Sequence, residues 1–195
     1  MMVRTDGRNA IVPEQTPRQT WESDSARYLT PRGRGKPDAW AEEAGESRRR
    51  GGQRLLSAGT VVPPDAIARA LGLEAGGQAV SRRRLILLDD VPVELADSYY
   101  PPRVAAGTAL AEPRKVPGGA VTLLAELGHV ATRVEETVTA RMPTEEEREA
   151  LRLGGHEPVL VLSRLILGGD GLPMEFCVMT MTARDRTLRY RMRLD

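Results

Sequence analysis

The sequence predicts an α+β domain built on a six-stranded antiparallel sheet, and three features of it predict this. Residues 62–87 and 142–167 match each other without gaps at a constant offset of 80 residues. Pro63 pairs with Pro143, Ala70-Leu71 with Ala150-Leu151, and Arg84-Leu85-Ile86-Leu87 with Arg164-Leu165-Ile166-Leu167. After one extra residue in the second copy the pairing resumes, Pro92 with Pro173 and Glu94 with Glu175. Each copy also reads as helix, strand, helix, strand, strand, the last two strands joined by a turn. Finally, 41% of the 195 residues are hydrophobic but only 4% aromatic, so the core is built from aliphatic side chains.

The elements follow in order. Residues 1–37 are rich in Pro, Gly, Arg, Thr and Ser and show no sustained apolar period, so they read as an extended arm or linker. Ile11, Val12, Trp21, Tyr28 and Leu29 are its candidate anchors on the body or on a second subunit. The body spans 38–195, with repeat 1 over about 38–101 and repeat 2 over about 119–184. A helix over 119–128 puts Ala120, Leu123, Leu124 and Leu127 on one face and stops at Gly128, and 131–141 alternate as a strand. Their counterparts in repeat 1 are 38–46 and 53–61. Thr144-Glu145-Glu146-Glu147 is a capping box, and Pro64-Asp65 stands in its place in the first copy. Asp89-Asp90 and Gly168-Gly169-Asp170-Gly171 are the hairpin turns. A last strand over 187–194 alternates Leu188, Tyr190, Met192 and Leu194 with arginines, and suits pairing within its own sheet or with the edge of a partner chain.

Several classes of function find no support. With 28 basic and 27 acidic residues the net charge is +1, which gives no field to draw in nucleic acid. The single cysteine, Cys177, and two histidines, His129 and His156, do not make a closed metal site, so no metal or cofactor is expected. The start lacks the apolar stretch of a signal peptide and no apolar run approaches the roughly 20 residues of a membrane span. A cytoplasmic protein is expected. No nucleophile elbow, Cys–His pair or phosphate-binding glycine loop points to an enzyme.

A duplicated unit of this kind creates a crevice between sheet and helices, where small ligands bind. Charged residues inside apolar strands are the candidates for its polar contacts. Arg84 shares a strand face with Ile86 and Leu88, Arg164 is its repeat partner, and Glu175 shares a face with Cys177, Met179 and Met181. An arginine among aliphatics suits a carboxylate or other anion. A strand arginine can equally be one half of a cross-strand pair, and both readings stand at this level. Arg82 and Arg83 read as solvated, as do Arg48, Arg49 and Arg50 at a helix end, while Cys177 and Trp40 read as packing residues.

The segments SRRRLILLDDVPVELADSYYP, GGAVTLLAELG, RVEETVTARMPTEEEREALRL, PVLVLSRLILGGDGLPMEFCVMT and LRYRMRLD together resemble the UTRA effector domain of GntR-type regulators of the HutC branch. That family shares the chorismate lyase fold, a repeated two-helix, three-strand unit. The resemblance implies a homodimeric sensor of a small-molecule effector that repositions winged-helix domains on operator DNA. It implies ligand-binding roles for Arg84, for Glu175 and for Trp40 at the start of the first helix. Other pocket positions depart from the sensors of amino-sugar phosphates: Ile86 replaces a second arginine, Ala96 a glutamate, Gly119 and Val121 a serine and a tyrosine, and Met181 a tyrosine. Each change removes polarity. A smaller or more apolar effector is therefore expected, with a carboxylate as its candidate anion. A winged helix needs around 70 residues, which 1–37 do not provide, so contact with DNA is expected only through a domain absent from this chain. The alternatives are a chorismate-lyase-like enzyme using Arg84 and Glu175, or a stand-alone binding or dimerisation module.

Overall fold

A computed structural model describes residues 21–23, 25–33, 36–184 and 186–190. The chain opens with β1 (Trp21–Ser23) and α1 (Ala26–Leu29). Repeat 1 runs α2 (Ala39–Glu46), β2 (Gly51–Val61), α3 (Asp65–Ala70), β3 (Ala79–Leu88) and β4 (Val91–Tyr100). A connector carries the short α4 (Pro102–Ala105) and a 3₁₀ turn (Ala109–Ala111). Repeat 2 runs α5 (Ala120–Glu126), β5 (Ala131–Arg141), α6 (Glu145–Leu151), β6 (Val159–Gly168) and β7 (Pro173–Thr182), and β8 (Arg186–Leu188) follows. The six long strands form one antiparallel sheet, as the duplication predicts, and their order is β2-β3-β4-β7-β6-β5.

That order is unchanged when the repeats exchange places, so a pseudo-two-fold axis passes between β4 and β7. The register locates it. Asp97 faces Val178, and these two are repeat equivalents (97 + 81 = 178). The hairpins correspond in detail. The β3–β4 register slips after Ile86–Glu94, and the β6–β7 register slips after Ile166–Glu175, in each case next to the strand proline, Pro92 or Pro173. A proline offers no ladder donor, and a bulge absorbs the loss. Asp89 and Asp90 both adopt positive φ (50° and 65°), the geometry of a tight type I′ hairpin.

Alternation along the strands sends the two sheet faces to different helices. On one side Ile67 and Leu71 of the α3 region and Leu151 of α6 pack on Ala79, Leu85, Leu95 and Val159. On the other, Trp40 and Ala44 of α2 pack with Ile86, Ala96, Leu162 and Met179, while Leu124 of α5 joins Tyr100, Leu110 and Ile166. Asp38 caps α2 by accepting from the Ala41 amide at 2.9 Å. The chain then returns so close to α2 that a Cβ at Gly51 would lie 2.7 Å from the Trp40 carbonyl oxygen, so glycine is required there.

One feature departs from the sequence expectations. The last strand does not extend the large sheet: β8 pairs in parallel with β1, joining the arm to the segment after repeat 2. Residues 191–195, including Met192 and Leu194, lie outside the described residues, as do Ile11, Val12 and the side chain of Trp21. The arm itself folds back on the body, with Tyr28 and Leu29 packed against the two clusters under α2 and α5. Among the described residues no helix is long and apolar enough to cross a membrane.

Candidate functional site

The sheet face covered by α2 and α5 encloses a cavity of about 150 Å³. Its floor comes from β3, β4, β6 and β7, and its walls from the starts of α2 and α5 and from arm residues Ser25 to Arg32. Trp40, Arg84, Ile86, Ala96, Val121, Glu175 and Met181, far apart in sequence, all line it. So do Gly119 and Cys177. An engineered apolar cavity of about this volume accommodates benzene, which sets the scale of the enclosed part of a ligand.

Arg84 is the central cation. Its neighbours across the ladder are Leu55 and Ala96, so no carboxylate opposes it. One Nη2 hydrogen bond reaches Ser98 Oγ at 3.1 Å, and its buried Nε has no hydrogen-bond partner. Burial works against the charge, but Tyr100, Cys177, Glu175 and Glu94 around it more than compensate and leave its pKa above the ordinary arginine value. Ser98 Oγ in turn donates to Cys177 Sγ at 3.3 Å. Burial, with Glu175 adding to it, pushes the Cys177 thiol up to about 12, so this cysteine is an uncharged wall and not a nucleophile. Glu175 accepts from the Tyr100 hydroxyl at 2.9 Å. Trp40 donates from Nε1 to the Leu87 carbonyl at 2.7 Å, which fixes its ring in the cavity wall beside Arg186, 6.0 Å from the ring centre.

Arg164 has the other fate open to a strand arginine. It faces Glu136 across the ladder, pairs with it at 2.6 Å, and donates to Ser25 Oγ of the arm at 2.9 Å. Both side chains are nearly inaccessible, at 9% and 11%. The cross-strand reading thus applies to Arg164, and not to Arg84.

Arg82 corrects the sequence reading. It is not solvated but 5% exposed. Its guanidinium donates to the carbonyls of Ala109 (3.3 Å), Leu110 (2.8 Å), Glu112 (2.9 Å) and Arg114 (2.7 Å). It therefore clamps the connector onto the sheet. Arg83 points to the opposite face and pairs with Asp97 at 3.4 Å and Glu146 at 2.6 Å. Arg49 and Arg50 bind the Asp89-Asp90 turn.

Sequence reasoning missed two parts of the lining. Glu94 faces the cavity, and its equivalence to Glu175 was the signal that could have found it. The apolar residues of the arm marked it as anchored but not where, since its contacts depend on folding back: the Arg32 amide donates to Thr122 Oγ1 at 3.0 Å and the Tyr28 hydroxyl bonds Glu43. Among the described residues no group of three or more His, Cys, Asp or Glu side chains could hold a metal ion.

Comparison with known proteins places this geometry. The UTRA domain profile matches residues 46–185. An uncharacterized HTH-type transcriptional regulator of Streptomyces coelicolor is 33% identical over 138 residues, which cover 69% of this chain and 51% of that protein. The chain thus spans about half the length of this relative. Among solved structures, the effector domain of PhnF from Mycobacterium smegmatis superposes with a TM-score of 0.70 at 21% identity, over 85% of this chain and 99% of that one. The C-terminal domain of the histidine utilization repressor from Pseudomonas syringae superposes with a TM-score of 0.60 at 19% identity, over 74% and 100% of the two chains.

Proposed function

The chain belongs to the UTRA domain family, and we propose that it is the effector-sensing and dimerising module of a bacterial GntR/HutC-type transcription regulator. In this reading it works in the cytoplasm as a homodimer and binds a small carboxylated metabolite in the cavity above the sheet. Contact with operator DNA falls to a winged-helix domain outside these residues. The observation that carries the reading is Arg84, a charged guanidinium at the cavity with a buried Nε that no protein group engages. An arginine fork recognises a carboxylate through two parallel hydrogen bonds, and such bonds are stronger where water is excluded.

The surroundings favour a carboxylate of modest size over a sugar phosphate. Ile86, Ala96, Val121 and Met181 line the cavity where amino-sugar-phosphate sensors of the resembled family carry polar groups. Calorimetry against a panel of small carboxylates and hexosamine phosphates tests this. A carboxylate present at 100 times its Kd should stabilise the fold by about 2.7 kcal/mol. Arg84→Met should abolish that gain. Tight binding of a hexosamine phosphate refutes the choice of ligand class.

We read the site as binding and not catalytic. Its thiol is held protonated, and Glu175 is engaged by Tyr100. Incubation with chorismate should give no product. Sedimentation at micromolar concentration should show a dimer, and a gel shift with these 195 residues should show weak binding to duplex DNA.

A further inference from the structure

Glu94 and Glu175 are repeat equivalents (94 + 81 = 175), and the two halves treat them differently. Glu175 has Tyr100 as its donor, at 2.9 Å. The position equivalent to Tyr100 in the other half is Met181 (100 + 81 = 181), and Met181 is the residue facing Glu94. A thioether has no proton to donate. Among the described residues Glu94 accepts no hydrogen bond, and its ion pair with Arg186 is long, 3.6 Å. Only 15% of its side chain is exposed, which limits what water can supply.

The other charges at the cavity are already engaged. Arg164 pairs with Glu136, Arg32 with Glu42 and Arg27 with Glu46, while Asp38 accepts from the Ala41 amide and from Gln53. What remains facing the cavity is Arg84, lacking an acceptor at Nε, and Glu94, with only the long Arg186 ion pair among the described residues. An anion alone would satisfy Arg84 but enter a space already lined by the carboxylates of Asp38, Glu94 and Glu175. A molecule carrying both an anion and a donor would satisfy both groups and leave the net charge of the site unchanged.

We infer that the effector is zwitterionic, with its carboxylate on Arg84 and an ammonium or comparable N–H donor on Glu94. The inference rests on the sensing reading above and narrows its ligand from carboxylates in general to amino acids and their relatives. Burial already pushes the Glu94 carboxyl above its usual range against the pull of Arg186, Arg84 and Arg164, as expected of an acceptor without a donor.

The test is a binding and thermal-shift series on the full chain with matched probes: leucine, 4-methylpentanoate and 3-methylbutylamine, then 4-aminobutanoate and butanoate for a longer charge separation. At least one amino acid should bind about tenfold more tightly than its amine-free analogue. Glu94→Gln keeps the shape of the side chain, and Glu94→Ala is a second removal should the amide find a new partner. Both should erase the amino acid's advantage and leave the amine-free acid bound at least as tightly as before, while Arg84→Met should lose both ligands. Amine-free acids that bind as well as amino acids and depend on Arg84 overturn the inference and leave the sensing reading intact. No response to any probe at tens of millimolar counts against both.

Discussion

Arg84 and Arg164 occupy the same position in two copies of one unit, yet one faces a cavity and the other is locked in an ion pair. The difference lies in the edge strands. Across the ladder from Arg84 stands Leu55; across from Arg164 stands Glu136, seconded by Ser25 from the arm. A buried charge deprived of its partner is costly, so a protein retains one without a carboxylate chiefly where something else supplies the acceptor. In repeat 2 the arginine holds the arm to the sheet. In repeat 1 it faces the cavity with Ser98 as its one hydrogen-bond acceptor among the described residues. Duplication supplied two equal cations, and a single opposing residue divided their work.

The largest effect should come from a position where the repeats differ outright. Arg82 corresponds to Leu162 (82 + 80), and only the first copy has a connector to hold. Arg82→Leu, the side chain of the second copy, should strand the carbonyls that Arg82 now engages and cost more than about 3 kcal/mol in urea unfolding. Unfolding indistinguishable from wild type would mean that the connector is held by its apolar contacts alone.

Next, Glu136→Leu copies the repeat 1 edge into repeat 2. It breaks a buried pair and should cost about 3 kcal/mol, with faster amide exchange around Ser25. The converse exchange, Leu55→Glu, gives Arg84 an internal carboxylate and should abolish response to carboxylate ligands while leaving the fold stable. A fully retained response in that variant breaks the comparison.

Arg84→Met should change the stability of the ligand-free protein by less than about 1 kcal/mol, because removing a desolvated cation with one hydrogen bond offsets the lost pairing. Arg164→Met should be clearly worse, since it leaves Glu136 buried and unpaired. Equal losses in the two variants would show that ligand-free Arg84 is as firmly held as Arg164.

The smallest effect concerns the helix starts. Thr144 accepts from the Glu147 amide and Glu147 answers at the Thr144 amide, whereas Pro64 in the first copy makes no side-chain cap. Thr144→Ala should cost about 1 kcal/mol and Pro64→Ala less. Glu147 corresponds to Ile67, so its titration belongs to repeat 2 alone. Its hydrogen bonds with Arg141, aided by Thr144, hold its carboxyl down to about 2, against an ordinary value of 4.5. A depressed carboxyl contributes its stability above the ordinary value and loses it as pH falls through the depressed one. Glu147→Gln should therefore flatten the loss of stability between pH 4.5 and 2.

Most of the fold was legible because duplication writes the pattern twice. The strand over 131–141 and the capping box at Thr144 appear where periodicity and capping chemistry put them. The connector over 102–118 was not legible, for it has no repeat partner and its apolar residues follow no sustained period. Arg82 shows why side-chain fate is harder to read than strand position. An arginine beside two others suggests solvent, and its acceptors are backbone carbonyls some 27 to 32 residues away, which any sequence would supply. The site was legible at the cavity floor, where strand faces follow from alternation. The arm wall and the role of Glu94 depend on how segments distant in sequence meet.

The axis between Asp97 and Val178 has a consequence for how a ligand can lie. Were the two halves separate identical chains, the central strand would pair with its own copy and every group over the axis would occur twice. An aspartate at position 97 would face another aspartate, and like charges directly opposed are unfavourable. A cavity centred there would accept its guest equally well in either direction. Covalent fusion lifts that constraint: one copy holds Asp97 where the other holds Val178, and one holds Tyr100 where the other holds Met181. The two ends of the chamber are not alike, so any molecule lying along it would meet different groups when turned end for end.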